Sequence, residues 1–173
     1  MLGGNIVSLC GNKVEKSGEA IMFRGINAIN VDDKGRLAIP TRYRTSLLEE
    51  ASGRLIITID TEEHCLLLYP LTAWKEIEQK IESLPSFNRV TRRIQRLLIG
   101  HATELELDSN GRILLPSLLR DYAKLDKRVM LIGQGKKFEI WDDSEWNSKR
   151  NGWLAEGLQE TDGLPEQLSD ISL

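Results

Sequence analysis

The feature that most constrains this chain is a ten-residue motif that occurs twice. VDDKGRLAIP occupies 31–40 and LDSNGRILLP occupies 107–116, and both read apolar-Asp-x-x-Gly-Arg, then Leu or Ile, any residue, an apolar residue and Pro. Such matches at a constant offset are not expected by chance, and a fixed period is the sequence signature of a repeat architecture. The chain is therefore predicted to contain one structural unit twice.

The similarity extends outward from the two motifs. Arg44 follows the first motif at the same distance as Arg120 follows the second. We predict two homologous halves, at 24–76 and 100–147, joined by a linker at 77–99. A half of about 50 residues with unpaired strand edges buries too little surface to be stable alone. Pairing between the halves, and then between chains, is the expected remedy.

Each half has the residue pattern of a small α+β unit. An alternating strand leads into the Asp-x-x-Gly-Arg turn and a short apolar strand leaves it, which predicts a local β-hairpin. A helix follows each motif, because the closing proline suits a first helical turn. Its apolar stripe is predicted to comprise Tyr43, Leu47 and Leu48 in the first half, and Leu118, Leu119 and Tyr122 in the second. Two more strands follow each helix, at 54–60, 65–70, 128–133 and 137–142.

Two amphipathic segments separated by Pro85 lie between the halves, and the second ends at Gly100. Their apolar residues recur at helical spacing, which predicts a helical hairpin. The first face comprises Leu71, Trp74, Ile77, Ile81 and Leu84, and the second comprises Val90, Ile94, Leu97 and Leu98.

The net charge of −3 would ordinarily argue against nucleic acid, because Lys and Arg supply much of the affinity for DNA phosphates. The acidity is concentrated at one end, however: residues 154–173 hold five Asp or Glu and no Lys or Arg, so the rest of the chain carries +2. Four arginines and no acid lie between Ser83 and Thr103. We interpret 148–173 as an acidic C-terminal tail, and the composition leaves DNA binding open.

Asp32 and Asp108 occupy the position at which an aspartate accepts backbone N–H groups and tightens a turn. Gly35 and Gly111 are expected at positive φ. These four residues are predicted to be structural members of the motif.

Arg36 and Arg112 follow those glycines, and two interpretations of their side-chain contacts are open. Each guanidinium either forks onto the aspartate of its own turn or reaches outward to phosphates and guanine edges. Lys34 is a candidate phosphate neighbour in the first turn, whereas the second turn has Asn110 at that position. The two turns are therefore not expected to be equivalent on DNA.

The remaining polar features give no enzymatic site. His64, Cys65 and His101 are interpreted as packing residues, since neighbours on a strand point to opposite faces. Gly133 and Gly135, followed by lysines, are interpreted as a hairpin turn and not as a phosphate cradle, because a strand and not a helix follows. We therefore predict no catalytic residue, no metal, no cofactor and no small-molecule substrate.

Two further groups of residues keep alternative interpretations. Arg92, Arg93 and Arg96 form a basic helical face that is solvated, paired with acids of a neighbouring subunit, or in contact with DNA. The tryptophans are interpreted as core or subunit-interface residues and not as base-stacking residues; they are Trp74, Trp141, Trp146 and Trp153. No apolar run approaches the ~20 residues that a membrane span needs.

From Met22 onward the chain resembles the MraZ family of transcriptional regulators. The resemblance rests on MFRG at 22–25, the paired motifs, RLLIGHA at 96–102 and the acidic C-terminus. It implies two tandem AbrB-like swapped-hairpin halves that assemble into a ring-like homo-oligomer. It also adds Arg24 to the candidate DNA-binding residues. Residues 1–21 depart from the family pattern and are expected to be a disordered or non-native extension.

The resemblance further implies a function. We expect a cytoplasmic, nucleoid-associated protein that binds short G-rich repeats in double-stranded promoter DNA and represses the division and cell-wall gene cluster. The motif turns would make the contact through Arg36, Lys34, Arg112 and Arg24. The alternative is a ring-forming protein-interaction scaffold without specific DNA binding.

Overall fold

The computed structural model describes residues 22–156, which form an α+β unit of eight strands and six helical segments. The predicted extension at 1–21 lies outside the described residues. The predicted tail at 148–173 is helical as far as Glu156, and the rest of it lies outside the described residues. The strands are β1 (Phe23–Asn30), β2 (Arg36–Ala38), β3 (Arg54–Ile59), β4 (Leu66–Pro70), β5 (Thr103–Glu106), β6 (Arg112–Leu114), β7 (Arg128–Gly135) and β8 (Lys137–Asp142). The α-helices are α1 (Thr41–Ala51), α2 (Leu71–Glu82), α3 (Arg89–Ile94), α4 (Ser117–Tyr122) and α5 (Asp143–Glu156), and a π-helical turn at Gln95–Ile99 continues α3.

The two halves share one antiparallel sheet. Its strand order is β1-β7-β8-β4-β3-β5, so β1 pairs with β7, β4 with β8 and β3 with β5, each time across the halves. Strands β2 and β6 form a separate two-stranded ribbon, again with one strand from each half. The predicted tandem repeat is present, and its halves are interlocked through their strands.

The predicted local hairpin is confirmed only at its turn, where Asp32 N donates to the Arg36 carbonyl and Asp108 N to the Arg112 carbonyl, both at 2.9 Å; the flanking strands pair elsewhere. Strand β1 is connected to β2 by a single bridge, Val31 to Leu37, while its ladder of eight residue pairs is with β7. Strand alternation is a local property and cannot identify the partner strand, so the sequence pattern alone suggested the nearest one. The exchange of strands between halves agrees with the swapped hairpin that the family resemblance implied.

One hydrophobic core serves both halves. The inward residues of the ribbon, Leu37 and Ile113, are fully buried, as are Ile39 and Leu115, which precede the proline that caps each helix. They pack with buried residues from the six-stranded sheet, such as Leu131. Since each motif buries its apolar residues, its charged residues are left on the opposite face of the ribbon.

Two residues of the predicted helical stripes are exposed. Tyr43, Leu47 and Leu119 are buried, but Leu48 is 54% exposed and Leu118 is 68% exposed. Each lies next to a buried leucine, and adjacent residues on a helix are about 100° apart, so both cannot face the core. The stripe prediction is therefore wrong at these two positions.

The linker contains both predicted helices, but the second is irregular. Asn88 Oδ1 caps α3 by accepting from the Val90 and Thr91 backbone N–H groups. The hydroxyl of Thr58 donates to the Leu98 carbonyl at 2.7 Å, which ties the π-helical turn to β3. Val90 was expected on the apolar face and is instead 53% exposed.

The interpretation of Gly133 as a turn residue is also wrong. Gly133 lies inside β7 opposite Gly25 of β1, where an added Cβ would be 2.6 Å from the Arg24 backbone nitrogen. Gly135, with φ of +72°, does supply the turn between β7 and β8. No helix in residues 22–156 is long and apolar enough to span a membrane.

Candidate nucleic-acid interface

The first motif folds as a turn built around the Asp32 carboxylate. Asp32 Oδ1 accepts from the backbone N–H groups of Lys34 at 3.0 Å and Arg36 at 2.9 Å, and the Asp32 carbonyl accepts from Gly35 N at 2.8 Å. Arg36 Nε donates to Asp32 Oδ2 at 2.7 Å. The Asp32 carboxylate therefore binds both the backbone of the turn and the guanidinium of Arg36.

The second motif repeats this arrangement. Asp108 Oδ1 accepts from Asn110 N at 2.9 Å and Arg112 N at 2.8 Å. Arg112 Nε donates to Asp108 Oδ2 at 2.8 Å, and its Nη2 also lies 2.8 Å from that oxygen. Gly35 and Gly111 adopt φ of +80° and +70°, as predicted from their place in the motif.

Hydrogen bonding lowers the pKa of both aspartates. For Asp32 the backbone N–H of Arg36 contributes most, and for Asp108 the backbone N–H of Arg112 contributes most, in each case against partial desolvation. The arginine side chains lower both pKa values further. The two carboxylates are therefore ionised at neutral pH and hold their arginines as ion pairs.

The ribbon places both arginines on one outward face. Arg36 is paired with Leu114 and Arg112 with Ala38, on either side of the buried central pair. Two residues along a strand and one strand spacing across give roughly 8 Å between the Cα atoms of Arg36 and Arg112. Leu114, which is directly opposite Arg36 on the same face, is 57% exposed. The two arginines and the exposed leucine form a surface narrow enough for the ~12 Å major groove.

Each half also contacts the motif turn of the other half. Ile39 N donates to the Gly111 carbonyl, and Leu115 N donates to the Gly35 carbonyl, both at 2.9 Å. A Cβ on Gly111 would overlap the Arg44 Nε, and one on Gly35 would lie 2.9 Å from the Arg120 Cζ. Each turn is therefore positioned by the helix arginine and the backbone of the other half.

Comparison with known proteins supports a single family. Residues 22–97 and 98–156 each match the family described as "MraZ protein, putative antitoxin-like". Proteins named "Transcriptional regulator MraZ" from Legionella pneumophila (strain Paris) and Coxiella burnetii (strain RSA 493 / Nine Mile phase I) are 62% and 60% identical over 152 residues. A protein of that name from Pseudomonas aeruginosa (strain LESB58) is 54% identical over 152 residues. Each alignment covers 88% of this chain and the whole of the relative.

The chain belongs to the MraZ family. Its two family matches correspond to the two motif-bearing parts of the sequence, in agreement with the tandem repeat. Each repeated turn lies within one of the two family matches, and the similar proteins are named as transcriptional regulators.

The four candidate DNA-binding residues are not all in one place in this MraZ fold. Arg36 and Arg112 share the ribbon face, and Lys34 lies in the first turn beside Arg36. Arg24 lies on β1, opposite Gln134, in the six-stranded sheet. The structure therefore places three candidates on the ribbon and its turn, and the fourth on a sheet edge.

Arg44 and Arg120 were missed as members of the site. Arg44 Nε donates to the Ile39 carbonyl at 2.7 Å, whereas Arg120 Nε is buried and has no hydrogen-bond partner within residues 22–156. The available signal was their equivalent position after each motif. The sequence spacing showed that the two arginines are equivalent, but it did not show that each one contacts the turn of the other half.

The other singled-out residues differ in burial: His101 is half-buried, whereas His64 is exposed, which the packing interpretation did not predict. Cys65 is buried, and burial raises the pKa of its thiol far above the ordinary range. His101 Nδ1 is 2.8 Å from the Leu97 carbonyl, and the His64 ring lies 5.5 Å from that of Tyr122. Among residues 22–156 no group of three His, Cys, Asp or Glu side chains is placed to hold a metal ion.

The tryptophans divide between core and surface. Trp74 and Trp141 are buried, and Trp141 packs edge-on against Trp146 and Trp153, with ring centroids 5.7 and 6.1 Å away. Trp153 is 45% exposed and is therefore the one of this cluster with most free surface.

Proposed function

We propose that this protein is a sequence-specific DNA-binding transcriptional regulator that reads the major groove with the β2–β6 ribbon. The observation that carries the proposal is the pair of matching Asp–Arg turns, which present Arg36 and Arg112 on one outward face. A two-stranded ribbon fits the major groove, and an arginine forks onto O6 and N7 of guanine there. The names of the relatives support the same function.

In this proposal the aspartates orient the arginines for DNA. Arg36 donates to Asp32 through Nε, and its Nη atoms make no hydrogen bond within residues 22–156, so the pair restrains the guanidinium and leaves the Nη donors available. Holding the side chain in place before binding reduces the entropy that is lost when the complex forms. The two alternatives for Arg36 are therefore compatible, since the ion pair prepares the base contact.

The two turns contribute unequally to the proposed contact. Lys34 adds a positive charge beside Arg36, while the equivalent Asn110 adds none. A lysine near a phosphate releases counterions and makes binding salt-dependent. The first turn is therefore proposed as the stronger contact with the DNA backbone.

The family resemblance supports finer proposals. These are that the operator consists of short G-rich repeats ahead of division and cell-wall genes, that binding represses them, and that the protein acts at the nucleoid as a ring-like homo-oligomer. The sheet ends at β1 and β5, and such edges favour further pairing. We expect light scattering at micromolar concentration to give a mass above that of a dimer, where the chain mass is 19.6 kDa. A monomer at all concentrations would contradict the ring.

Titration of the full-length protein with a duplex from its own upstream region tests the function. We expect a shifted complex that resists competition by a base-scrambled duplex of the same length, because specific affinities exceed non-specific ones by roughly 10³ or more. Equal competition by both duplexes would contradict specific reading and would favour the interaction scaffold.

A further inference from the structure

A second charged surface lies on the linker helices. α3 and the π-helical turn line a groove of about 550 Å³ with three arginines, Arg89, Arg93 and Arg96, and with two apolar residues, Val90 and Leu97. All three arginines are exposed, and Val90 is 53% exposed. The ribbon contributes no residue to this groove, so it is separate from the proposed DNA-reading surface.

The three arginines of the groove form no ion pair with an acidic side chain of residues 22–156. No Asp or Glu occurs between Ser83 and Thr103. Three like charges around one concavity repel each other, which destabilises the empty groove. A complementary occupant would be acidic and would also offer apolar side chains to Val90 and Leu97.

The end of this same chain has that chemistry. Residues 157–173, GLQETDGLPEQLSDISL, contain four Asp or Glu, five Leu or Ile, and no Lys or Arg. They follow directly on α5, which ends at Glu156. Seventeen residues span up to about 56 Å when extended, which is ample to reach another face of a domain of this size.

We propose that the acidic tail at 157–173 docks in the arginine groove formed by Arg89, Arg93 and Arg96. Carboxylates accept charge-assisted hydrogen bonds from guanidinium groups, and leucines between them cover the apolar wall. This tail–groove contact gives the basic linker a function that does not depend on the proposed reading of DNA. It also keeps a strongly basic surface from binding nucleic acid without sequence preference.

A DNA backbone is the competing occupant, and the groove favours the tail over it. Phosphates need positive charge but gain little from an apolar wall, whereas a peptide with alternating acids and leucines uses both features. Val90 and Leu97 are therefore the residues that distinguish the two occupants.

Photo-crosslinking of the full-length protein tests the contact. A benzoylphenylalanine in place of Val90 lies in the groove, and after illumination trypsin releases residues 151–173 as one peptide, because Arg150 is the last basic residue. We expect crosslinks from position 90 to map within 157–173. Crosslinks that map to other segments, or to the duplex when operator DNA is present, overturn the proposal.

Charge reversal provides the matched controls. The groove variant R93E/R96E, and separately the tail variant E160K/D162K, are each expected to reduce the crosslink yield at least fivefold. Because the tail variant adds trypsin sites at positions 160 and 162, its yield is summed over all crosslinked peptides within 151–173. Arg92→Glu, on the same helix but outside the groove lining, should leave the yield unchanged. Combining the two reversals should restore most of the yield, since the charges again oppose. Failure of that restoration, with folding verified by circular dichroism, contradicts the tail–groove contact.

Discussion

The ion pair between Arg36 and Asp32 is partly exposed, with side chains 32% and 38% accessible. Exposed ion pairs contribute little to stability, because water and salt screen the two charges. The backbone hydrogen bonds to Asp32 do not involve the guanidinium and would remain without it. At the scale of single residues, stability and DNA binding should therefore be separable at this position.

We expect Arg36→Ala to weaken specific DNA binding while leaving the fold intact. One lost arginine–guanine fork costs on the order of 1–3 kcal/mol, or about 5- to 150-fold in Kd, and a multivalent complex amplifies the loss. The Tm should fall by less than about 4 °C. Gel-shift titration and thermal melting measure the two effects.

Arg54→Ala is the matched control for this prediction. Arg54 also makes an exposed ion pair, with Glu104 at 2.6 Å, but it lies on β3 and not on the ribbon. It should cost similar stability and leave Kd unchanged. An Arg36→Ala protein that melts early yet binds the operator with native affinity would show that the residue is only structural.

The lowered pKa values of Asp32 and Asp108 predict an acid-dependent loss of stability. The ordinary value is 3.8, and the folded values lie below it. A group with a depressed folded pKa stabilises the fold above its unfolded pKa, and that contribution is lost as pH falls through the folded value. The loss is therefore expected below about pH 4.

Asp32→Asn combined with Asp108→Asn should flatten this part of the pH profile. We expect the Tm of the double variant to fall less steeply than that of the native protein between about pH 4 and 2, because the amides do not titrate. Asp33→Asn is the control, since Asp33 is not among the recorded hydrogen-bond acceptors of the turn in residues 22–156. Parallel profiles for native and double-variant proteins would refute the assignment.

At the scale of elements, each turn depends on a glycine that faces the other half. Gly111 has φ of +70°, and an added Cβ would overlap Arg44, whose Nε is held by the Ile39 carbonyl. We expect Gly111→Ala to destabilise the protein by roughly 1–3 kcal/mol through backbone strain and the displaced arginine. Denaturant unfolding measures the difference.

Gly152→Ala is the control substitution, and we expect it to stabilise the protein. Gly152 lies inside α5, and an added Cβ would meet nothing within 4 Å. Alanine is favoured over glycine in a helix by about 0.5–1 kcal/mol, so this variant should be more stable. Equal effects of the two substitutions would mean that the contact with Arg44 does not constrain the turn.

The sequence was sufficient to predict the secondary-structure elements but not to predict which strands pair with each other. Apolar periodicity gave the strands after each helix, and the motif gave the turn with its aspartate and positive-φ glycine, because these depend on nearby residues. Pairing of β1 with β7 joins residues about a hundred positions apart, and no local pattern encodes it. The same reason explains why Arg44 was not recognised as a contact of Gly111.

At the scale of the whole molecule, the halves are not independent domains. β2 has its ladder only with β6, and within residues 22–156 the strand β1 has its ladder only with β7. The buried core likewise combines Leu37 and Ile39 with Ile113 and Leu115. Separation of the halves would expose these residues and leave the edges of β1 and β2 unpaired.

We therefore expect residues 1–87 and 88–173, produced separately, to lack the native monomeric arrangement and to unfold without a cooperative transition. Mixing them should restore the native circular dichroism spectrum and a single melting transition, because every cross-half ladder can then form again. The cut lies in the loop at Phe87, which is 95% exposed and outside all strands, so it removes no ladder. Analytical size exclusion would detect the reconstituted complex. If either fragment alone gave a cooperative melt at the native temperature, with no change upon mixing, the interlocking of the halves would contribute little to stability.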